Sequence, residues 1–349
     1  MNKNSVIILG LLLVVLLSIV MIKKTFFSPV VEEAEYGSLS LSISPADISK
    51  IGIKKGKSGK PFIMQINDEG EWVLPSFWNR IADQAKAHNF LNTLAMLEGE
   101  VRSRSVELYS DYGIADDEAF SISLYGKDGK LVNRVYLGTI KGSYMSTFLR
   151  QGDSPKVYVV NRDIYGLMDI YGDPKSAKII GDKWLDLSLI QFIPNDITGI
   201  KITRGAGDLV ETVVDLEKVQ GTEEGSFDWK APNDTAKSDP DPEKIKTYLN
   251  NVAAMKALKV VDPDGENYGF DEPFMLLTLL SGDEKMMFTI GALVEENKED
   301  RYIQAPDGQA YVIAGYGIRS MNVGIDSFLS DNVPEAGPEV GAPTAENPE

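Results

Sequence analysis

Short stretches of alternating apolar and polar residues, separated by turn residues, fill the chain beyond position 45. Residues 48–54 and 62–66 each predict a strand, and the glycine, lysine and serine residues between them predict a turn. A short strand at Trp72 follows, and a stripe at helical spacing then predicts an amphipathic helix. The residues of this stripe are Ala87, Phe90, Leu91, Leu94 and Leu97.

Four more strands and a closing helix complete this first pattern. The strands are predicted at residues 120–125, 131–137, 144–150 and 156–160, and the helix at residues 162–171. Turn residues at 126–129 join the first two of these strands as a hairpin. This order of elements is typical of an α+β fold, in which an antiparallel sheet packs helices on one face.

The whole pattern then occurs a second time. Residues 45–53, PADISKIGI, return 149 positions later as residues 194–202, PNDITGIKI, and five further landmarks recur in the same order at offsets of about 150–158 residues. The later landmarks pair Trp72 with Trp229, Phe90 with Tyr248, Tyr112 with Tyr268, Gly138 with Gly291, and Tyr158 with Tyr311. Because each copy is long enough to bury its own core, the sequence predicts two tandem homologous α+β domains.

The second copy shows the same elements with one longer loop. Strands are predicted at residues 197–203 and 209–216 and at Trp229, with an acidic loop at 217–226. A hairpin turn is predicted at residues 281–284, and a closing helix at residues 316–329.

A helix is predicted between these groups of strands. Asp241 suits an N-cap, Pro242 the first helical position and Glu243 the first turn. A stripe at helical spacing follows, formed by Ile245, Tyr248, Leu249 and Val252.

The N-terminus predicts a membrane anchor. Residues 5–22, SVIILGLLLVVLLSIVMI, carry no charge and are flanked by Lys3 and by Lys23 and Lys24. As a helix they would span about 27 Å, enough for a thin hydrocarbon core. A cleaved signal peptide is the alternative, but no small-x-small cleavage site follows the apolar run. We interpret the segment as an uncleaved single-pass signal anchor in the lipid bilayer.

The orientation of this anchor follows from its surroundings. Positive charge on its two sides is nearly balanced and does not determine the orientation. Two other features do: the acidic residues at 32–35 and the usual export of a large domain behind an N-terminal anchor. They favour a cytoplasmic N-terminus at the bacterial cytoplasmic (inner) membrane, with the bulk of the chain extracytoplasmic or periplasmic. The absence of cysteine agrees with an envelope protein without disulfides and excludes a cysteine-linked lipid anchor.

These patterns divide the chain into six predicted parts. They are a signal anchor at 1–24, a juxtamembrane linker at 25–44, the first α+β repeat at 45–175, an inter-repeat junction at 176–193, the second α+β repeat at 194–330 and an acidic, proline-rich, disordered tail at 331–349. Residues 184–192 are too apolar for a free linker. They are expected either to pack and hold the two copies or to form an element of one copy alone.

The charge of the chain bears on its partners. The formal net charge is −17, and a field of that sign disfavours nucleic acids and anionic lipid headgroups because both are polyanions. Solubility is the simpler explanation of the charge.

Four groups of residues were candidates for chemistry. His88 is the only histidine in the sequence and lies off the apolar helix stripe, so a triad or a multi-histidine zinc site is not expected. Residues 56–58, Gly-Lys-Ser, resemble the end of a phosphate loop, but a strand follows them instead of a helix, which predicts a hairpin turn.

The other two groups are acidic side chains, which suggest two kinds of site, and a repeated tyrosine. Residues 262–267 gather oxygen ligands suited to calcium but lack EF-hand spacing, so a turn is expected. Glycoside hydrolysis needs a pair of carboxylates, but a chain with 52 acidic residues always offers some pair, so this feature does not indicate a hydrolase. Tyr112-Gly113 and Tyr268-Gly269 are interpreted as a tyrosine packed over a glycine turn.

Taken together, these landmarks resemble an uncharacterised bacterial family, domain of unknown function 4340 (DUF4340), over most of residues 45–330. The resemblance rests on residues 47–51, 71–72, 112–114, 137–138 and 157–160, on the helix ending near Leu97, and on the junction at 184–192. It implies one N-terminal membrane segment and an association with ATP-binding-cassette (ABC) transporters of the gliding-motility type. It implies no catalytic residues.

The sequence therefore leads us to expect a membrane-anchored extracytoplasmic accessory protein that binds or scaffolds beside an ABC-type transporter. Expected partners are the bilayer through residues 5–22, permease or ATPase subunits, and a polypeptide or glycan ligand, but no nucleic acid. No enzymatic activity, cofactor or metal is expected, and no catalytic residue can be assigned. Two alternatives stay open, an envelope hydrolase using paired carboxylates and a free-standing structural or adhesive envelope protein.

Overall fold

The computed structural model describes residues 15, 16, 18, 21, 39, 41–139, 145–205, 207–223, 226–232, 239–294 and 297–330. The chain divides into two compact units, and the boundary lies between Trp184 and Leu185. Each unit is built on one antiparallel sheet with few helices, which is an α+β architecture.

The first unit contains a sheet of nine strands. Its strands are β1 (Ile48–Lys55), β2 (Phe62–Ile66), β3 (Trp72–Leu74), β4 (Arg80–Ile81), β5 (Gly99–Ser103), β6 (Phe120–Gly126), β7 (Leu131–Thr139), β8 (Thr147–Gln151) and β9 (Val157–Val160). Their order in the sheet is β4-β3-β2-β1-β6-β7-β8-β9-β5, and every neighbouring pair is antiparallel.

Two helices belong to the first unit. Helix α1 (Gln84–Ala95) begins at Asp83, whose carboxylate accepts a hydrogen bond from the amide of Lys86, and it buries the predicted apolar stripe. Helix α2 (Ile164–Leu167) is a single turn. The longer helix predicted at 162–171 is therefore wrong, because Asp169 adopts a left-handed backbone conformation (φ 55°) that a right-handed helix cannot continue through.

Aromatic rings fill one side of the core of this unit. Trp184, fully buried, meets Phe90 edge to face at 5.3 Å between ring centroids and lies 5.9 Å from Phe62. Leu39 and Leu41, in the predicted juxtamembrane linker, are also buried, and the side-chain amide of Asn133 donates a 2.6 Å hydrogen bond to the carbonyl of Leu41. The chain just before the first strand is therefore packed onto the unit.

The second unit contains a sheet of eight strands. They are β10 (Gly199–Arg204), β11 (Glu211–Gln220), β12 (Phe227–Lys230), β13 (Lys259–Val260), β14 (Met275–Ser281), β15 (Glu284–Val294), β16 (Asn297–Gln304) and β17 (Ala310–Ile313). Their order is β12-β11-β10-β14-β15-β16-β17-β13, again antiparallel throughout. At the start of this unit Leu185 and Leu189 are buried, and the carbonyl of Leu187 accepts a hydrogen bond from the amide of Ala257, so these junction residues are tied to the second unit.

Two helices accompany the second sheet. Helix α3 (Pro242–Ala253) has the predicted Asp241 N-cap and buries Ile245, Tyr248, Leu249 and Val252. Helix α4 (Gly315–Met321) is followed by a 3-10 turn at Ile325–Phe328, so the single helix predicted at 316–329 is wrong. Asn322 (φ −90°, ψ 66°) leaves helical geometry and ends α4.

Several predicted bounds change near the second unit's first hairpin. Leu209, predicted in a strand, lies in a 3-10 turn (Gly207–Leu209) because Gly205 and Gly207 have positive φ angles of 85° and 58°. The strand that follows extends through Gln220, so the predicted acidic loop at 217–226 is shorter than expected. Strands β4, β5 and β13 carry no clear alternation and were not predicted.

The two strand orders correspond element by element. Without β4, the order of the first sheet reads β3-β2-β1-β6-β7-β8-β9-β5. Strands in equivalent positions of the two sheets come in the same order along the chain. A helix precedes β5 in the first unit and β13 in the second. The same path of the chain thus builds both sheets.

The predicted anchor falls largely outside the described residues. Within it the structure describes Val15, Leu16, Ser18 and Met21, which are helical. Among the residues that the structure describes, no helix is both long and apolar enough to cross a membrane. The predicted tail at 331–349 also lies outside the described residues.

Candidate functional site

The first unit contains a cleft of about 940 Å³. The hairpin loop between β1 and β2 lines it, as do residues 117–120 at the start of β6, the β3–β4 turn and residues 174–181. This volume lies within the range of small-molecule and peptide sites.

Apolar side chains line the interior of the cleft. They are Ile53, Phe62, Phe77, Phe120, Leu137, Tyr165 and Ile179. Phe120 and Tyr165 meet edge to face with 5.8 Å between centroids, and the Tyr165 hydroxyl donates a 2.9 Å hydrogen bond to the carbonyl of Leu137. These contacts fix both rings, so the cleft offers a preformed apolar surface.

The Tyr165 hydroxyl is a poor proton donor to a reaction. Burial raises the pKa of this hydroxyl above its ordinary value of 10.0 because the phenolate would lose its hydration. The group therefore stays neutral near neutral pH and serves as a hydrogen-bond donor to the sheet.

Lys55 holds one wall of the cleft in place. Its ammonium group donates hydrogen bonds to the carbonyls of Pro174 (2.9 Å), Lys175 and Ala177 (3.3 Å). The same group lies 5.4 Å from the centroid of the Phe120 ring. Three carbonyls take up the donors of a single ammonium, so Lys55 holds residues 174–177 at the end of strand β1.

The charge at the rim of the cleft opposes that of the whole chain. Four lysines line the cleft, Lys55, Lys60, Lys175 and Lys178, against two exposed carboxylates, Asp117 and Glu118. Lys60, Lys175 and Lys178 are exposed. A local excess of positive charge in a chain of net charge −17 attracts anionic groups to this place.

The wall segment also contains main-chain donors. The amides of residues 177–180 make no hydrogen bond to any residue that the structure describes. The segment ends at Gly181, where a β-carbon would lie 2.5 Å from the Phe77 ring, so only glycine allows the chain to pass this close to the aromatic surface.

The residues singled out from the sequence are placed as follows. His88 is exposed, as predicted, and its Nδ1 lies 2.7 Å from the carbonyl oxygen of Gln84. Residues 56–58 form the predicted hairpin turn, and Gly56 and Ser58 of this turn also line the cleft, which the sequence did not reveal. Residues 262–267 form a turn in which the Asp262 carbonyl accepts a 2.8 Å hydrogen bond from the Tyr268 hydroxyl. Within the described parts of the chain, no group of three or more acidic or histidine side chains is placed to hold a metal.

The repeated tyrosine is a packing element. The ring of Tyr112 meets Phe148 edge to face at 4.7 Å, and Tyr268 lies 4.6 Å from Tyr302. The tyrosine ring therefore packs against a ring from β8 in the first unit and from β16 in the second.

Comparison with known proteins identifies one family. The model of the family described as domain of unknown function (DUF4340) matches residues 72–273, more than half of the chain. No curated protein and no solved structure matches. On the strength of the family match and the landmarks within it, the chain belongs to the DUF4340 family.

Proposed function

We propose that this chain is an accessory binding protein, tethered by residues 5–22 to the outer side of the bacterial cytoplasmic membrane, that works beside an ABC-type transporter of the gliding-motility class. The cleft of the first unit is the observation that supports a binding role. Its fixed aromatic walls and lysine rim suit capture of a polymer segment such as a polypeptide or glycan.

The same proposal includes an internal duplication. It is supported by the corresponding strand orders of the two sheets and by equivalent contacts at Tyr112 and Tyr268. Two such units on one anchor give an accessory protein two related surfaces. Anchoring raises their effective concentration near integral membrane partners.

The topology can be tested in cells. A chain with an N-terminal cytoplasmic tag is expressed, and protease is added to spheroplasts. We expect residues beyond the anchor to be degraded while the tag survives. Loss of the tag in intact spheroplasts, with the residues beyond the anchor protected until lysis, would reverse the orientation.

The partner can be tested by affinity purification from membranes in mild detergent, with and without crosslinking. We expect a permease or ATPase subunit to be recovered with the chain. The matched control replaces residues 5–22 with a cleaved export signal, which should reduce recovery by removing confinement to the membrane. Recovery of cell-wall material without transporter subunits would favour a free-standing structural or adhesive role.

A further inference from the structure

We propose that the cleft of the first unit binds an extended acidic polypeptide segment that carries aromatic or aliphatic side chains. This inference rests on the proposed binding role and names its ligand. Three independent features of the cleft lead to it.

The first feature is charge. Lys60, Lys175 and Lys178 lie exposed around the cleft, while the chain as a whole is strongly acidic. These three lysines outnumber the two exposed carboxylates of the rim, Asp117 and Glu118, so the excess of positive charge favours carboxylates over cationic groups. Because the lysines are exposed, the pairing should weaken as salt screens it.

The second feature is the main chain. Residues 177–180 offer amides that lack a hydrogen-bond partner within the described structure, and they run along the wall that Lys55 fastens. An extended peptide can pair its carbonyls with such amides, as strands do when they add to an edge. A lipid tail offers no such acceptors, and a glycan does not repeat them at strand spacing, so the polypeptide is the favoured class.

The third feature is the apolar interior between the lysines. The rings of Phe62 and Phe77 and the side chain of Ile179 are partly exposed within the cleft. In a strand, alternate side chains point to opposite sides. Apolar side chains of the ligand can therefore face these groups while its carboxylates reach the rim.

The probe is a fluorescein-labelled peptide, acetyl-Glu-Phe-Glu-Ser-Glu-Phe-Glu-Ser-amide, titrated with the full-length chain in non-ionic detergent and followed by fluorescence anisotropy. Two matched peptides replace every Glu by Lys, or every Phe by Ser. We expect the acidic, phenylalanine-containing peptide to bind at least about tenfold more tightly than either, and its affinity to fall with rising salt. Equal binding of all three peptides would overturn the proposal.

The site is located with charge reversals. The double variant Lys60→Glu/Lys178→Glu should weaken binding at least about tenfold, whereas Lys127→Glu/Lys285→Glu, at exposed lysines outside the cleft, should leave it within about twofold. Ile179→Ser should weaken binding without altering the salt dependence. An unchanged thermal midpoint for each variant shows that the fold is kept, and equal loss in both double variants would move the site elsewhere.

Two further probes test the class of the ligand, and a purification distinguishes this ligand from the proposed transporter association. A form of the peptide whose backbone amides are replaced by esters keeps its charge and side chains but weakens its carbonyls as hydrogen-bond acceptors, so it should bind more weakly. Polygalacturonate, an anionic glycan, should not compete, and displacement of the bound peptide by an equal concentration of polygalacturonate would overturn the polypeptide class. The natural chain is then purified from membranes and also tested for peptide binding. If it recovers transporter subunits but does not bind the peptide, this ligand alone is overturned. If it binds the peptide but recovers no subunits, the transporter association alone is overturned.

Discussion

The carbonyl oxygen of Tyr268 lies directly against the α-carbon of Gly291, so close that a β-carbon at position 291 would overlap it. The amide of the next residue, Ala292, donates a 2.7 Å hydrogen bond to the same carbonyl. Gly269, with a φ of 73°, turns the chain so that it crosses strand β15 at this point. A loop is thereby joined to the middle of the sheet through its backbone.

The first unit contains the same contact. A β-carbon on Gly138 would overlap the carbonyl oxygen of Tyr112 and would also lie 2.8 Å from Cγ2 of Ile114. Gly113, at a φ of 65°, makes the corresponding turn. The Tyr-Gly and Leu-Gly landmarks in the sequence are therefore two halves of one contact, which explains why they recur together.

Replacing either strand glycine by alanine should destabilise its unit. Gly138→Ala and Gly291→Ala each force a backbone oxygen to move, and we expect a loss of about 2–3 kcal/mol, or roughly 4–12 °C in the thermal midpoint. Differential scanning calorimetry of the full-length chain measures the change. If the units unfold separately, each variant should lower a different transition.

Gly324→Ala is the matched control for these variants. A β-carbon at position 324 meets no atom within 4 Å, and the residue has a φ of −99° that alanine readily adopts. We expect a change within about 0.5 kcal/mol. A comparable loss at positions 324 and 291 would show that the close approach to Tyr268 is not the cause.

The sequence predicted those elements whose side chains alternate clearly. The strand at 131–137 appears as β7, and the turn at 281–284 appears as the hairpin between β14 and β15, because periodicity and turn chemistry are local signals. Strand β4, only two residues long, has no period of its own and forms because it pairs with β3. The helix predicted at 162–171 fails for a related reason, since its apolar residues pack without helical backbone beyond Leu167.

The cleft could not be predicted from the sequence. Lys55 and Pro174 are 119 positions apart, and no local pattern indicates that the ammonium of one meets the carbonyl of the other. Residues 56–58 were correctly identified as a turn, but their place on the rim depends on where residues 174–181 pass. Sites assembled from distant loops leave no periodic signal.

Removing the Lys55 ammonium should loosen the wall of the cleft. In Lys55→Met the three carbonyls of residues 174–177 lose their common donor, so we expect faster tryptic cleavage after Lys175 and Lys178. Limited proteolysis followed by mass spectrometry of the fragments measures this. Lys54→Met is the control, because successive residues of a strand point to opposite faces. Equal cleavage of both variants would show that Lys55 does not hold the segment.

The N-cap of α3 should contribute measurably to the second unit. The Asp241 carboxylate accepts hydrogen bonds from the amides of Glu243 (2.9 Å) and Lys244 (3.4 Å). Asp241→Ala removes this acceptor and should cost about 1 kcal/mol, whereas Asp241→Asn keeps an acceptor and should cost only a few tenths. Urea unfolding followed by circular dichroism distinguishes them. Equal stability of the two variants would mean that the cap is not responsible.

Tyr248 should make the second unit sensitive to alkaline pH. Burial raises the pKa of its hydroxyl above the ordinary value of 10.0, and the hydroxyl donates a 3.0 Å hydrogen bond to the carbonyl of Met321. Above pH 10 the unfolded chain loses this proton while the folded unit keeps it. Stability that is fully present below pH 10 is therefore lost as the pH rises, by up to about 1.4 kcal/mol per pH unit from this residue.

The variant Tyr248→Phe separates the two effects of this hydroxyl. At neutral pH it should be less stable by about 1 kcal/mol, because the Met321 carbonyl loses the hydroxyl and keeps only its hydrogen bond from the amide of Val323. Above pH 10 its stability should fall less steeply than that of the natural chain, so the two curves approach each other between about pH 10 and pH 11.5. Tyr316→Phe, at a ring that is 66% exposed, should leave the curve unchanged. Parallel curves for Tyr248→Phe and the natural chain would show that the hydroxyl ionises equally in the folded and unfolded states.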